Sequence, residues 1–239
     1  MNRPPAPRDA SFRRCCSADM AAFHPNLDAL PEEFSVFPLP GALLLPRGKL
    51  PLNIFEQRYL ALTEDALGAG RMFGMIQPDM SRAPGPNGPA LYRVGCLGRL
   101  TSFSETDDGR FLIQLTGVAR FAIMREVEMR RGYRRVHGDF AAYRGDLDLT
   151  EPESMIDRGP LLAALKDYFA RATIDANWDS IKRIPDGLLI VTLAMVCPFD
   201  PAEKQALLEA ASEADRADTL LALLRMGATG PEDTGRRPS

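Results

Sequence analysis

Gly48 and Lys49 are the first residues whose types could do chemistry, because glycine amides and a lysine ammonium group can together hold a phosphate. A nucleotide-binding phosphate loop needs four residues between its two glycines and a hydroxyl residue after the lysine. Here six residues separate Gly41 from Gly48, and Leu50 follows the lysine. This spacing argues against a nucleotide site at the loop.

A dinucleotide fingerprint is approximated by Gly68, Gly70 and Gly74. That motif must follow a strand and open a helix, so that the helix N-terminus meets the pyrophosphate. These glycines instead come after a predicted helix and before a predicted strand. We interpret them as a helix end followed by a strand glycine, and we predict no bound cofactor.

The sequence does not indicate a catalytic nucleophile with its base. None of the ten serines lies in a G-x-S-x-G turn, and His24 and His137 are far apart in the sequence. We interpret both histidines as structural. We therefore predict no catalytic residue and no enzymatic activity.

The cysteines give no metal-ligand pattern. The four are Cys15, Cys16, Cys96 and Cys197. They include no C-x-x-C pair and have no histidine at metal-binding spacing, so we predict no metal site. Cys96 and Cys197 lie in apolar runs, where a free cysteine usually packs as a small hydrophobic residue.

The stretch from Val36 to Leu62 would position whatever the protein binds. Its prolines and glycines break the first half into pieces too short for a helix, which favours short strands joined by turns. Because proline cannot donate to a ladder, we expect its prolines at strand ends, edges or turns. They are Pro38, Pro40, Pro46 and Pro51. A helix is predicted from Glu56 to Gly68.

These motifs resemble the opening of the LON substrate-binding domain, the N-terminal domain of the Lon protease family. The run FPLPG (37–41) is followed by LPL (50–52), IFE-x-RY (54–59) and later motifs in the order and at about the distances of that family. The resemblance covers roughly residues 34 to 226. The residues that follow the family pattern, which we interpret as structural, are Pro38, Pro40, Gly41, Pro46, Pro51, Phe55, Glu56, Arg58, Tyr59, Gly74, Gly95, Gly109, Gly117, Arg120 and Phe121. Glu56 and Arg58 are expected to fix the helix entry by capping and ion pairing.

The predicted fold class is α+β. Six or seven short strands with one early helix should form a small, partly closed barrel. The resemblance to the LON domain implies the same architecture, which is described as PUA-like. The strands include RMFGMIQ, a hairpin turning at Asp108 and Gly109, and two separate strands in VARFAIMREVEM and YRRVHGDFAAYR. We expect a loosely packed or disordered leader at residues 1–33, the barrel at 34–145, a helical part at 146–227 and a tail at 228–239.

The helical part should form a bundle of about four helices. Asp186 is predicted to cap an apolar helix, and Gly227 is predicted to end the last one. Asp200 and Glu203 flank Pro201 in a capping-box pattern. Ser212 and Asp215 repeat the pattern before the last helix.

Charge is divided unevenly along the sequence, whose net charge is −3. Between residues 110 and 144 there are eight arginines and three acids, a balance of +5, whereas residues 146–225 carry fifteen acids and eight bases, a balance of −7. One explanation is solvated strands facing an acidic neighbour. The alternative is an RNA-binding module, since PUA-like folds often bind RNA. Its contact candidates are Arg130, Arg131, Arg134 and Arg135.

The resemblance implies a stand-alone LON-domain protein that binds unfolded or exposed polypeptide segments. The ATPase and peptidase parts of Lon are missing from a sequence of 239 residues. We expect a non-catalytic adaptor, holder or regulator in the cytoplasm, with no membrane partner and with a binding groove between the barrel and the helical half. The sequence indicates neither the contact residues nor the oligomeric state.

Overall fold

The computed structural model describes residues 25–148 and 156–229. Strands occupy the first part of the sequence and helices the second, as the change of sequence pattern predicts. The strands are β1 (Glu33–Pro38), β2 (Lys49–Ile54), β3 (Met72–Ile76), β4 (Val94–Glu105), β5 (Phe111–Arg130) and β6 (Tyr133–Asp139). The helices are α1 (Gln57–Gly68), α2 (Arg158–Arg171), α3 (Trp178–Ile181), α4 (Asp186–Val196), α5 (Pro201–Glu209) and α6 (Glu213–Thr229). The fold is α+β.

Five strands close into a barrel. β1 pairs in parallel with β3 and antiparallel with β6, while β6, β5, β4 and β3 continue the ring as antiparallel neighbours. β2 lies outside the ring as an edge strand, paired only with β5 among the described strands. Pro51 lies within this edge strand, Pro38 ends β1 and Pro40 lies in a turn, so the positions expected for these prolines are confirmed.

The hairpin is confirmed, but its second strand continues further than predicted. β5 runs without interruption from Phe111 to Arg130, whereas the sequence suggested a break after Gly117. Gly117 is a point of close approach rather than a turn: its N–H donates to the Gly48 carbonyl, and its own carbonyl accepts from the Arg47 N–H, at 2.8 and 2.9 Å. A Cβ at Gly117 would lie 2.0 Å from the Leu45 carbonyl oxygen, so only glycine fits. Gly117 therefore marks the point where the loop of residues 45–48 crosses β5, and we call this loop the crossing loop.

The strand predicted for YRRVHGDFAAYR is correct only in its first part. β6 ends at Asp139, and Ala141–Leu147 form a 3-10 helix. The boundary proposed at residue 145 thus falls inside this helix. At the other end, Leu30 is buried, a 3-10 turn covers Leu27–Ala29 and β1 starts at Glu33, so the part of the predicted loose leader from residue 25 onward is packed. Residues 1–24 and the tail from 230 lie outside the described residues.

Two helix signals are wrong and two are confirmed. Asp186 does not cap α4; it lies in the first turn and pairs with Arg158. Gly227 does not end α6, which continues to Thr229; Gly227 instead leaves room for the ring of Tyr168.

The two confirmed signals are local capping boxes. Asp200 and Glu203 cap α5 around Pro201 at its first position. Ser212 and Asp215 exchange hydrogen bonds of 3.1 Å between each backbone N–H and the side-chain oxygen of the other residue.

One apolar core joins the barrel to the helices. It includes Leu44 and Leu115 from the barrel side and Leu165, Ile190 and Leu224 from the helices, all at most 1% exposed. No helix among the described residues is both long and apolar enough to cross a lipid bilayer.

Candidate functional site

The FPLPG turn is fixed by polar side chains from distant elements. The N–H of Gly41 donates to the Gln77 side-chain oxygen at 3.1 Å, and its carbonyl accepts from the Lys204 ammonium group at 2.8 Å. The Gln77 amide also donates to Gln205 and to the Pro201 carbonyl, at 3.2 and 2.9 Å. Burial of Lys204 lowers the pKa of its ammonium group. This turn therefore ties the barrel to α5.

Several family-pattern residues serve aromatic packing. A Cβ at Gly74 or Gly95 would lie 2.8 or 2.5 Å from the ring of Phe121. That ring meets the ring of Phe34 edge to face, with 4.9 Å between centroids. Gly109 has a φ of +76° in the hairpin turn. Gly74 and Gly95 thus leave room for the Phe121 ring.

The start of α1 combines an ion pair with a stacked ring. Arg58 pairs with Glu56 at 2.7 Å and lies over the ring of Tyr59 at 4.6 Å. Glu56 is the N-cap residue, but its carboxylate accepts no N–H of the first turn, so the ion pairing expected of it is present and the capping is not. Burial of Tyr59 raises the pKa of its hydroxyl.

Phe55 differs from the other family-pattern residues because it is 61% exposed. Phe103 and Leu112 are also exposed, at 39% and 47%. Asn53, the residue two before Phe55, pairs with Leu112, and Phe103 packs on the ring of Phe111 with 5.0 Å between centroids. Phe103 pairs with Ile113, so it lies on the face of the buried Phe111 and Ile113, whereas Leu112 points from the opposite face of the hairpin. We call the exposed pair formed by Phe55 and Leu112 the hairpin surface.

The surroundings of the hairpin surface carry few charges. Charged residues bound these strands at their ends: Lys49 and Arg99 at one end, and Glu105 and Arg110 at the other. The exposed or half-exposed residues between these ends are uncharged: Pro51, Asn53, Thr101, Ser102, Ser104, Gln114 and Thr116. Phe55 lies at the charged end, with the Arg110 guanidinium 5.9 Å from the centre of its ring. Depletion of charge along the rest of the exposed strands is typical of the centre of a protein interface. Sequence reasoning missed this surface, although Phe55 in the family pattern was its one signal.

Two RNA-contact candidates have carboxylate partners from α1. Arg130 lies 3.3 Å from Asp65. Arg131 lies 3.0 Å from Asp65 and 2.7 Å from Glu64. The Tyr133 hydroxyl donates to Asp65 at 2.6 Å, and this bond, followed by those from the arginines, lowers the pKa of the Asp65 carboxyl.

The other two candidates are also paired. Arg134 is buried, pairs with Glu126 and donates to the Pro89 carbonyl at 2.6 Å, so its guanidinium group is not available to a phosphate. Arg135 lies 3.4 Å from Glu33. The neutralising carboxylates belong to the barrel half itself, not to the acidic helices. The basic stretch therefore presents no continuous row of free guanidinium groups.

Where the sequence predicted a groove, polar side chains cross the boundary between the barrel and the helices. Arg120 crosses it from β5 to the end of α5, Lys204 and Gln205 cross it toward the barrel, and the shared apolar core lies beneath. One open cleft lies within the barrel half, between the loop after β3 and strands β5 and β6. A second, of about 340 Å³, lies within the helical half, where Asp200 and Glu203 already serve the α5 cap.

Reactive groups are few among the described residues. No three histidine, cysteine or acidic side chains of residues 25–148 and 156–229 come together as a metal-ligand set. Burial raises the pKa of the Cys96 thiol, and raises that of Cys197 to about 12. The Nδ1 atom of His137 lies 4.0 Å from Glu33 and has no hydrogen-bond partner. His24, Cys15 and Cys16 lie outside the described residues.

Comparison with known proteins gives a consistent relationship. The profile of the ATP-dependent protease La (LON) substrate-binding domain matches residues 33–226. Lon protease 2 of Myxococcus xanthus is 24% identical over 103 residues, which are 43% of this chain and 12% of that protein. Lon protease of Elusimicrobium minutum is 22% identical over 205 residues, which are 84% of this chain and 24% of that protein. The sequence thus matches a small part of the length of these relatives.

Solved structures share the fold. A Lon N-terminal domain protein from Xanthomonas campestris has a TM-score of 0.53 and 23% identity, covering 80% of this chain and 97% of that one. The N-terminal domain of Lon protease from the Mycobacterium avium complex has a TM-score of 0.54 and 18% identity, with the same coverages. Since the family profile spans most of the sequence, this chain belongs to the LON substrate-binding domain family.

Proposed function

We propose that this protein binds exposed apolar polypeptide segments through the hairpin surface, as a non-catalytic adaptor, holder or regulator in protein quality control. The observation that carries the proposal is the exposure of two large apolar side chains: Phe55, just after the edge strand β2, and Leu112 on the neighbouring strand β5. Each would lose unfavourable contact with water on binding. Membership of a substrate-binding domain family supports a polypeptide as the ligand.

The scaffold beneath the surface suits this role. The hairpin surface stands on paired strands, and the buried neighbours Ile54, Phe111 and Ile113 anchor those strands in the shared core. A rigid support lowers the ordering cost of binding. Two partly exposed side chains give modest affinity and broad selectivity, which suits a receptor for non-native segments.

The test is a fluorescence anisotropy titration of the whole protein against a labelled, reduced and alkylated protein that cannot refold. We expect saturable binding. The double variant Phe55→Ser, Leu112→Ser should weaken it at least about tenfold, the equivalent of about 1.4 kcal/mol shared by two apolar side chains.

The matched control removes apolar surface elsewhere. Leu188 and Val196 on α4 are 48% and 71% exposed. The variant Leu188→Ser, Val196→Ser should bind as the parent does. Equal loss in both variants, or no saturable binding by the parent, would contradict the proposal.

Further measurements distinguish two other ligands for the hairpin surface, a second copy of this protein and an RNA. Sedimentation of the protein alone would reveal a second copy on the hairpin surface, as a mass that falls in the double variant Phe55→Ser, Leu112→Ser. Binding to a uridine oligonucleotide that falls steeply with salt would favour the RNA alternative. Either result, without polypeptide binding, overturns the proposal.

A further inference from the structure

A cleft of about 460 Å³ opens on the barrel, apart from the hairpin surface. Leu91 and Ile123 provide apolar lining, and Tyr92 stands beside them. Three arginines also line it: Arg82, Arg93 and Arg134. The cleft therefore combines apolar side chains with a border that carries three arginines and Glu126.

The loop that walls the cleft is held in one conformation although it is rich in proline and glycine. Asp79, 8% exposed, accepts hydrogen bonds from the N–H and hydroxyl of Ser81, at 3.1 and 2.6 Å. Gly85 and Gly88 exchange two backbone hydrogen bonds. Asn87 donates to Glu126 on β5 at 2.9 Å. These contacts give the cleft a preformed shape, which reduces the ordering cost of a ligand.

The charge of the cleft is not balanced within the described residues. Arg134 is neutralised by Glu126. The guanidinium groups of Arg82 and Arg93 form no hydrogen bond or ion pair with any residue of 25–148 or 156–229. Nearby Arg125, by contrast, pairs with Glu33 at 3.2 Å. The unpaired guanidinium groups of Arg82 and Arg93 therefore both border the cleft.

We propose that this cleft binds a carboxylate carried by a polypeptide, with Arg82 and Arg93 contacting the carboxylate while Leu91 and Ile123 accept the neighbouring apolar group. Guanidinium groups match a carboxylate in geometry and charge. The proposal rests on the proposed function only in taking a polypeptide as the source of the carboxylate, and it does not require the hairpin surface. Either the C-terminus of a polypeptide or an acidic side chain supplies the same chemistry.

A nucleic acid fits the cleft less well. Glu126 places a fixed negative charge at the border, and the neighbouring Arg130, Arg131 and Arg135 are paired with carboxylates. A nucleic-acid backbone gains affinity from a row of several free cationic side chains. The cleft offers only two such side chains, Arg82 and Arg93.

The test follows backbone amide and arginine Nε–H signals by NMR while small probes are added to the whole protein. N-acetyl-leucine offers a terminal carboxylate, N-acetyl-glutamic acid α-amide offers the γ-carboxylate of an acidic residue, and N-acetyl-leucinamide offers neither. We expect saturable shifts at Arg82, Tyr92 and Arg93 with the two carboxylates and none with the amide. The tighter of the two carboxylates identifies the source.

Variants separate this site from the hairpin surface. Arg82→Gln, Arg93→Gln should weaken carboxylate binding at least about tenfold, because both cations are lost. Arg125→Gln, an exposed arginine outside the cleft, is the matched control and should bind as the parent does. The hairpin variant Phe55→Ser, Leu112→Ser should also retain carboxylate binding, so the two proposals can fail independently. Equal shifts with the amide probe, or tighter binding of a uridine oligonucleotide at the same residues, would overturn the inference.

Discussion

The guanidinium group of Arg120 and the carboxylate of Asp146 form a bidentate ion pair, with both charged contacts at 2.9 Å and both side chains nearly buried. The remaining Nη1 group of Arg120 donates to the carbonyls of Leu208 and Ala210 at the end of α5. The ring of Tyr143 stacks on the guanidinium at 4.7 Å. One arginine side chain therefore joins β5, the 3-10 helix and the helical half.

Removing Asp146 should destabilise the fold strongly. Asp146→Ala leaves the Arg120 charge buried without its counter-ion, which costs about 3 to 5 kcal/mol of the free energy of unfolding. Urea denaturation followed by circular dichroism measures this loss. Glu33→Ala removes the shared partner of Arg125 and Arg135, and because both are surface pairs it should cost about 1 kcal/mol or less. Equal losses from both substitutions would show that the buried pair does not join the two halves.

Local chemistry made much of this fold predictable from sequence. The Asp200–Glu203 and Ser212–Asp215 caps are formed between residues three apart, so their signals can be read directly. The hairpin turn at Gly109 is similarly local.

Long-range contacts account for what the sequence left undecided. From the sequence alone Arg120 cannot be distinguished from the other strand arginines, because its partner lies 26 residues away. Gly117 reads as a strand break until the loop that crosses it is known. The exposure of Phe55 depends on which elements leave the edge strand uncovered, and no local pattern encodes that. The same limit applies to the cleft, whose lining comes from a loop and two strands.

Gly117 should not tolerate a larger residue. A Cβ there would meet the Leu45 carbonyl oxygen at 2.0 Å, so Gly117→Ala must displace the crossing loop and should cost about 3 kcal/mol. Gly68, at the end of α1, has no atom within 4 Å of a Cβ built on it. Gly68→Ala should therefore be neutral or slightly stabilising, since alanine favours a helix. Thermal unfolding of both variants measures the difference, and similar midpoints would refute the close approach at Gly117.

The carboxyl group of Asp65 should make the stability of the protein depend on pH in the acid range. Its pKa lies below the ordinary value of 3.8 because Tyr133 and then the arginines bond to its charged form. The unfolded protein takes up the proton first as pH falls, so the stabilisation is complete above about pH 4 and is lost as pH falls through the lowered pKa. Asp65→Asn should be about 1 to 2 kcal/mol less stable than the parent at pH 7. That gap should close as the pH approaches 2, and a gap that stays constant from pH 6 to pH 2 would contradict the assignment.

Thiol labelling can test whether the barrel and the helical half unfold together. Cys96 lies on β4 and Cys197 follows α4, yet both belong to the same apolar core. With the pKa of Cys197 raised to about 12, only roughly one thiol in ten thousand is a thiolate at pH 8. Iodoacetamide should therefore react with each cysteine only after the core opens.

The measurement uses the Cys15→Ser, Cys16→Ser variant, so that only the two buried thiols remain, and mass spectrometry of labelled peptides at increasing urea. We expect Cys96 and Cys197 to become reactive with the same midpoint and the same urea dependence, because the shared core opens as one cooperative unit. Leu165→Ala, which removes a fully buried side chain on the helical side, should lower both midpoints equally. If Cys197 alone became reactive at lower urea, the helical half would open by itself, and the Arg120–Asp146 pair would not couple it to the barrel.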